Sequence, residues 1–253
     1  MRVLILGGTT QASQLAQLLG SRDEYDTVFS LAGVTKNPVL PTVSVRIGGF
    51  GGADGLRDFL RDQAVGAVVD ATHPFAAQMS RHTAMACASS GVPLLRIDRP
   101  VWTEVEGDRW THVSSIEDAA AALGDTPRTA FLTTGRKDLG PFQRASQHHY
   151  ILRSIDAPEP SSLPRKVTLL LARPPFTVAS EMVLMKDHAV TVLVTKNAGA
   201  EATAAKLVAA RRLGLPVIMI DRPVLPSVAT VSTIEEALGW LQERRHTGTD
   251  RDV

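Results

Sequence analysis

The sequence has little cysteine, little net charge and no long apolar run, and each shortage excludes a class of protein. Cys87 is the single cysteine among 253 residues, which excludes an internal disulfide framework and a cysteine metal cluster. The formal net charge is +1, so no overall field attracts nucleic acid or a membrane surface. The apolar runs fall short of the roughly 18 residues of a membrane span, and residues 3–6 are too few for a signal-peptide core. We therefore expect a cytoplasmic protein without nucleic-acid or membrane partners.

Several catalytic motifs are also missing from the sequence. It contains no G-x-S-x-G elbow, no Walker lysine motif and no H-E-x-x-H pair. His148 and His149 are adjacent but have no further ligand at metal-binding spacing. The sequence therefore predicts no metal site within the protein.

What the sequence does contain is an internal repeat. T-H-P-F at residues 72–75 and G-V-P-L-L-R-I-D-R-P at 91–100 match T-K-N-A at 195–198 and G-L-P-V-I-M-I-D-R-P at 214–223, without a gap. A second match joins residues 113–119 to residues 231–237. The repeat predicts two similar halves, 1–124 and 125–253, and two such halves usually leave a ligand-binding cleft between them.

The hydrophobic pattern alternates short apolar strands with amphipathic helices. Strands are expected at residues 3–6, 27–31, 43–46, 67–70, 94–97 and 110–113, and at 130–133, 150–154, 168–171, 191–194, 217–220 and 229–231. Such alternation is typical of parallel sheets with helices on both faces. The fold class predicted is α/β, with two Rossmann-like, doubly wound parallel-sheet domains related by internal duplication.

The first predicted strand ends at Gly7, Gly8, Thr9 and Thr10, directly before the first predicted helix. Glycine permits a tight turn and the close approach of a phosphate, and a helix start offers free N–H groups. The full G-x-G-x-x-G fingerprint is absent, so an ordinary strand-to-helix turn would also explain these residues.

The ends of the next strands add to this candidate dinucleotide site. Gly33, Thr35 and Lys36 follow the second strand, where dinucleotide folds contact the adenosine ribose. Because no Asp or Glu stands there to bind a free 2′-hydroxyl, we expect NADPH rather than NADH. Gly48, Gly49 and Phe50 follow the third strand, and we assign them, with Thr72 after the fourth, to the cofactor.

His73 and a set of cations are the candidate substrate contacts. His73 follows the fourth strand, where it could donate a proton or bind a carboxylate, although a histidine that only caps the next helix fits as well. The corresponding strand ends of the second half carry Arg136, Lys137, Arg153, Arg173 and Lys196, with Asn197 beside the last. Because strand ends converge at one edge of a parallel sheet, these cations predict a rim that binds carboxylates or phosphates.

Taken in order, these motifs resemble the precorrin-6A reductase family of cobalamin biosynthesis. The resemblance rests on L-I-L-G-G-T-T at 4–10, S-L-A-G at 30–33, G-G-F-G-G at 48–52, A-T-H-P-F-A at 71–76, T-T-G-R at 133–136, V-T-K-N at 194–197 and the two I-D-R-P turns. Gln11 replaces a common Glu and Val34 a common Arg, so Lys36 or Arg46 would have to contact the 2′-phosphate. Ala198 and Ala200 replace part of a Ser-Gly-Gly run.

The resemblance implies an NADPH-binding domain at 1–124 and a tetrapyrrole-binding domain at 125–253 that exchange their last strands. It implies hydride transfer to carbon 19 of precorrin-6A and protonation at carbon 18, which gives precorrin-6B. His73 is the one candidate proton donor, with water or a substrate carboxylate as alternatives. Neighbouring pathway enzymes are the candidate protein partners. A non-catalytic dinucleotide sensor and a two-domain transferase with a nucleotide donor are the alternative functions.

Overall fold

A computed structural model describes residues 1–33 and 40–249. In chain order the elements are β1 (Arg2–Leu6), α1 (Thr10–Gly20), β2 (Asp26–Leu31), β3 (Ser44–Ile47), α2 (Gly52–Asp62), β4 (Ala67–Asp70), α3 (Ala77–Ser90), β5 (Leu94–Ile97), β6 (Trp110–Val113), α4 (Ile116–Ala121), β7 (Thr129–Leu132), α5 (Gly140–Arg144), β8 (His149–Ser154), β9 (Val167–Leu171), α6 (Val178–Asp187), β10 (Val192–Lys196), α7 (Ala205–Arg212), β11 (Val217–Ile220), β12 (Ala229–Val231) and α8 (Ile234–Thr249).

The strands form two parallel sheets of six strands each. The first has the order β3-β2-β1-β4-β5-β12, and the second has the order β9-β8-β7-β10-β11-β6. Every adjacent pair runs parallel. Both sheets therefore have the doubly wound Rossmann-like order. The switch point lies between β1 and β4 in the first sheet and between β7 and β10 in the second. The predicted α/β fold class is confirmed.

The last strand of each half belongs to the sheet of the other half, as the resemblance implied. β12 pairs with β5 through Thr230 and Arg96, and β6 pairs with β11 through Thr111 and Ile218. The compact units are consequently residues 1–100 with 223–253, called the first unit, and residues 101–222, called the second unit. These bounds differ from 1–124 and 125–253 because the chain passes between the units once after β5 and again after β11.

The first unit has a core on each face of its sheet. Val3 and Ile5 of β1 pack with residues of α1 and α8, whereas Leu4 and Leu6 pack with residues of α2 and α3. Side chains of a strand alternate between the two faces, so a strand covered on both sides is apolar throughout. Each fully buried side chain of this kind stabilises the fold by about 1.5–3 kcal/mol.

The structure differs from the sequence prediction at three places. The hydrophobic pattern of residues 201–212 predicts a single helix, but these residues form a 3₁₀ turn, Glu201–Thr203, followed by α7. Helix α5 (Gly140–Arg144) has no counterpart in the predicted pattern. The repeat also has a register difference. Val68 N–H donates to the Pro93 carbonyl and Leu193 N–H donates to the Pro216 carbonyl. Val68 and Leu193 therefore occupy equivalent positions in the two sheets. The gapless sequence match would instead pair Val68 with residue 191, two residues earlier. In the described part of the chain, no helix is long and apolar enough to cross a membrane.

Candidate active site

The turn after β1 is closed by a backbone hydrogen bond and by side-chain packing that leaves room only for glycine. Gly7 N–H donates to the Ser30 carbonyl at 2.8 Å, which joins the turn to the end of β2. A Cβ on Gly7 would lie 2.5 Å from Cζ of Phe29, a buried core side chain. Gly8 has φ +120°, a conformation that other residues rarely adopt, and open space surrounds its Cα. The turn therefore leaves a backbone surface that a ligand can approach closely.

Helix α1 begins directly beyond this turn, with Thr9 as its N-cap. The Thr9 hydroxyl accepts a hydrogen bond from Ala12 N–H at 3.1 Å and donates one to the Ala71 carbonyl at 2.8 Å. Its hydroxyl is thus used to hold the helix start against the end of β4. The first backbone N–H groups of a helix, here those of Thr10 and Gln11, have no intrahelical acceptor and favour an anion. Gly7, Gly8 and the exposed Thr10 suit a phosphate contact, whereas the Thr9 side chain has a bracing role.

The glycine loop at residues 48–52 is braced by Arg46. The Arg46 guanidinium donates to the Gly48 carbonyl at 2.5 Å and the Gly49 carbonyl at 2.7 Å. It also stacks on the Phe50 ring, 3.8 Å from the ring centroid. Burial lowers the pKa of Arg46 below its usual value. The loop is therefore a fixed surface, with Gly48 joined to the Leu31 carbonyl at 2.9 Å.

The end of β2 is only partly described. Gly33 is exposed and has φ +74°, so the chain turns there in a conformation that favours glycine. Thr35 and Lys36, both predicted cofactor contacts, lie outside the described residues.

The end of β4 carries a buried carboxylate that sequence reasoning missed. Asp70 accepts hydrogen bonds from Thr72 N–H at 3.2 Å, the Thr72 hydroxyl at 2.7 Å and the Ser80 hydroxyl at 2.6 Å. Arg96 of β5 lies 3.6 Å away, from Nε to Oδ2. The Thr72 hydroxyl proton is therefore committed to Asp70, so its predicted contact with the cofactor would use the hydroxyl as an acceptor or the backbone. The sequence did contain a clue to this pair, because Asp70 and Arg96 are each the single charged residue of an apolar strand.

His73 is exposed, three residues beyond the end of β4. Its Nδ1 accepts a hydrogen bond from Phe75 N–H at 3.2 Å, and its carbonyl accepts one from Ala76 N–H at 2.7 Å. A neutral ring that accepts at Nδ1 carries its proton on Nε2. In its neutral form His73 would therefore present Nε2–H, and the contact with Phe75 N–H holds the ring. The contact with Phe75 N–H lies in the turn before α3, and the side chain does not cap the helix itself. The role of His73 as a proton donor stays a prediction.

In the second unit, the loop after β7 and the end of β10 carry three of the predicted cations. Arg136 donates to the Ala157 carbonyl at 3.4 Å, and Lys137 is exposed. Lys196 is half-buried, and burial lowers its pKa, with Asp138 acting in the opposite direction and Lys137 in the same one. Arg173 is exposed and 3.9 Å from Asp156.

Arg153 does not lie on an exposed rim. It is 7% exposed and pairs with Glu181, which is 1% exposed. The guanidinium also stacks on Phe176, 3.7 Å from the ring centroid. Lys206 of α7 is buried beside this pair, and burial lowers its pKa to about 7. An arginine at a strand end was read as a surface cation because its partner, Glu181, is distant in sequence.

The side-chain amide of Asn197 is used in hydrogen bonds within the protein. Its side-chain oxygen accepts from Trp102 N–H at 2.8 Å, and its side-chain nitrogen donates to the Trp102 carbonyl at 3.0 Å. Arg222 donates to the Asn197 carbonyl at 3.0 Å. Asn197 therefore holds the segment that enters the second unit, and its side chain is not an exposed substrate contact.

Among the described residues, no group of three or more His, Cys, Asp or Glu side chains could hold a metal ion. Cys87 is buried, and burial, with a smaller contribution from Asp70, raises its pKa to about 12. The strand ends of the first unit thus carry backbone amides, hydroxyls, one imidazole and the buried Asp70 carboxylate, and those of the second unit carry the set of cations.

The fold and these strand ends define a Rossmann-like α/β protein, and comparison with known proteins gives its family. Residues 2–242 match the family model "Precorrin-6x reductase CbiJ/CobK". The chain is 48% identical over 253 residues to precorrin-6A reductase of Rhodobacter capsulatus, which covers 100% of this chain and 99% of the relative. It is 32% identical to cobalt-precorrin-6A reductase of Priestia megaterium over 93% of this chain and 96% of the relative.

A solved structure agrees with the sequence comparisons. The structure of CobK precorrin-6A reductase superposes with a TM-score of 0.91 at 48% identity, covering 96% of this chain and 97% of that chain. The chain belongs to the precorrin-6x reductase family. It is therefore a reductase, and the resemblance found in the motifs is confirmed.

Proposed function

We propose that this protein reduces precorrin-6A to precorrin-6B in cobalamin biosynthesis, with NADPH as the reductant. The main support for this proposal is the match to the family over residues 2–242. The glycine turn and the helix start at the switch point of the first sheet also support it. When bound, NADPH would supply the hydride for carbon 19 of the macrocycle, and a proton would have to reach carbon 18. The protein then has to bind both molecules, exclude competing reactions and deliver that proton.

The first unit suits the dinucleotide. Gly8 leaves backbone open to a pyrophosphate beside the turn at Gly7, and the start of α1 favours the negative charge of that group. Gly33, Gly48, Gly49 and Phe50 are the proposed adenosine contacts. We infer a preference for NADPH because residues 31–37 contain no carboxylate that would bind a 2′-hydroxyl. Lys36 is the proposed 2′-phosphate contact, since Arg46 is already engaged by the Gly48 and Gly49 carbonyls.

The second unit suits a ligand with many carboxylates. Arg136, Lys137, Arg173 and Lys196 are the proposed contacts, and arginine and lysine bind carboxylates through charge-assisted hydrogen bonds. We propose the metal-free macrocycle as substrate, because identity is 48% to a relative named precorrin-6A reductase and 32% to one named cobalt-precorrin-6A reductase.

His73 is the proposed proton donor, acting through Nε2–H. His73→Ala is expected to lower kcat with less effect on the affinity for NADPH, because proton delivery contributes typically 10²–10⁴-fold to such reactions. His82→Ala, on α3 of the same unit, is the matched control and should retain kcat. Unchanged kcat for His73→Ala at saturating ligands would show that water or the substrate donates the proton instead.

The experiment that tests the reaction itself uses NADPH carrying deuterium at the transferred position. The product should contain one deuterium at carbon 19 and solvent hydrogen at carbon 18, as read by NMR. Deuterium at another carbon, or its loss to solvent, would contradict the proposed step.

A further inference from the structure

A buried ion pair lies beneath the segment that carries His73, called here the THPF loop (residues 71–76). Asp70, at the end of β4, is 1% exposed, and Arg96, opposite it on β5, is 8% exposed. Burying a carboxylate costs several kcal/mol unless other groups compensate it. Asp70 is compensated by the Thr72 amide, the Thr72 and Ser80 hydroxyls and the Arg96 guanidinium.

These contacts reach both ends of the THPF loop and one segment outside it. Thr72 lies within the loop, and Ser80 lies in the first turn of α3, which follows the loop. On the other side, Thr9 donates to the Ala71 carbonyl at 2.8 Å. Arg96 also donates to the Pro226 carbonyl at 3.0 Å, in the segment that leads the chain back to β12. One carboxylate thus joins the loop, the start of α3 and the returning chain.

The second sheet shows that the fold does not need this ion pair. The facing positions Asp70 and Arg96 of β4 and β5 correspond in register to Thr195 and Met219 of β10 and β11. Both Thr195 and Met219 are buried, at 1% and 0% exposure. The second sheet therefore has the same strand order, and at the facing positions of β10 and β11 it has the neutral hydroxyl of Thr195 and the thioether of Met219. This strand order is thus compatible with an uncharged pair at these positions, so sheet formation alone does not account for the charges.

We propose that Asp70 is a positioning residue for the reaction, which fixes the THPF loop and thereby the ring of His73. Arg96 balances its charge and ties the same anchor to the returning segment. This inference rests on the proposed function for the role of His73, but the placement of the ring can be measured without any reaction.

The first test is NMR of the imidazole nitrogens in the ligand-free protein, with the His73 signals assigned by their loss in His73→Ala. Asp70→Asn removes the charge and the acceptor for Ser80, so the signals of His73 should move. Ser80→Ala keeps the carboxylate and removes one hydrogen bond, so it should move them less. Asp26→Asn is the control, because Asp26 is an exposed carboxylate at the start of β2 that pairs with Arg2.

The second test is kinetic, at a temperature well below the thermal midpoint of each variant. Asp70→Asn should lower kcat by about a hundredfold, the scale expected for a reacting group misplaced by about 1 Å. In the His73→Ala background it should lower kcat little further, because the two changes act through one group. Additive losses would show a purely structural role.

The two tests separate the possible failures. Unmoved His73 signals in a folded Asp70→Asn protein, or in Ser80→Ala if Asp70→Asn does not fold, would overturn the positioning role. Moved signals combined with a fully active His73→Ala protein would support the positioning of the loop and contradict only the proposed function of His73.

Discussion

Gly55 offers the sharpest test of how the glycine loop is held. Gly55 lies within α2, and a Cβ placed on it would be 1.8 Å from the Phe50 carbonyl oxygen. Contacts of Cβ atoms below 3.0 Å are essentially never seen, so the loop or the helix would have to move by over 1 Å. The loop resists this movement because Arg46 donates to the Gly48 and Gly49 carbonyls and stacks on Phe50.

The magnitude follows from two opposing effects. Alanine in a helix interior is favoured over glycine by about 1 kcal/mol, whereas overpacking costs typically about 1–3 kcal/mol and more against a rigid neighbour. Against the rigid loop we take the upper part of this range, about 2–3 kcal/mol, so the net loss is about 1–2 kcal/mol. Gly55→Ala should therefore lower the thermal midpoint by about 2–8 °C, at about 2–4 °C per kcal/mol for a protein of this size. Gly239→Ala is the matched control in α8 of the same unit. Nothing lies within 4 Å of its added Cβ, so we expect a rise of about 2 °C.

The assay combines thermal unfolding by circular dichroism with NADPH titration by fluorescence. Gly55→Ala should weaken NADPH binding, because the displaced loop contains the proposed contacts Gly48, Gly49 and Phe50. Gly239→Ala should leave binding unchanged. A Gly55→Ala protein as stable as the Gly239→Ala protein would refute the contact between α2 and the Phe50 carbonyl.

Three further predictions concern titratable groups. The hydrogen bond to Asp221, 2.7 Å from His112, raises the pKa of His112 above 6.5, so its stabilising charge is present below that pH and lost as the pH rises through the folded value. Asp221→Asn should flatten the resulting fall of the thermal midpoint as the pH rises above 6.5; an unchanged slope would exclude the pair as its cause. Burial lowers the pKa of Lys206 from 10.5 to about 7, so the unfolded chain binds more protons between these values and stability should rise with pH there. Lys206→Met should remove that rise in thermal midpoints, and a persisting rise would assign it to another group. Burial raises the pKa of Cys87 to about 12, so a thiol reagent at neutral pH should label it only after unfolding, and rapid labelling of the folded protein would show the site to be open.

The sequence predicted the fold well because the repeat and the apolar strands are local signals. Residues 67–70, 94–97, 110–113, 150–154, 217–220 and 229–231 were predicted as strands, and strands are found there. The exchange of β6 and β12 came from the family resemblance alone, since strand pairing between distant segments leaves no local pattern. Helix α5 escaped prediction because its five residues, G-P-F-Q-R, are too short to show a helical period.

The candidate site was less predictable, for a physical reason. Gly7, Gly8 and Gly48 could be recognised from the sequence as turn positions because glycine is needed where the backbone turns sharply or packs closely. Their contact with a cofactor stays a prediction. Arg153 and Asn197 were assigned to the surface because their partners, Glu181 and Trp102, are 28 and 95 residues away in sequence. Side-chain pairing of this kind is decided by tertiary packing. A charged residue within an apolar strand is the one clue that sequence offers, and Asp70 and Arg96 show that it has value.

The most direct measurement is the oxidation of NADPH by the purified protein with metal-free precorrin-6A, with NADH and cobalt-precorrin-6A run in parallel. The account predicts rapid oxidation of NADPH, slow oxidation of NADH, and a preference for the metal-free substrate. NADPH binding without oxidation on either tetrapyrrole would favour a dinucleotide sensor, and binding of a sugar nucleotide in place of NADPH would favour a transferase. Either of these results would contradict the proposed reductase activity.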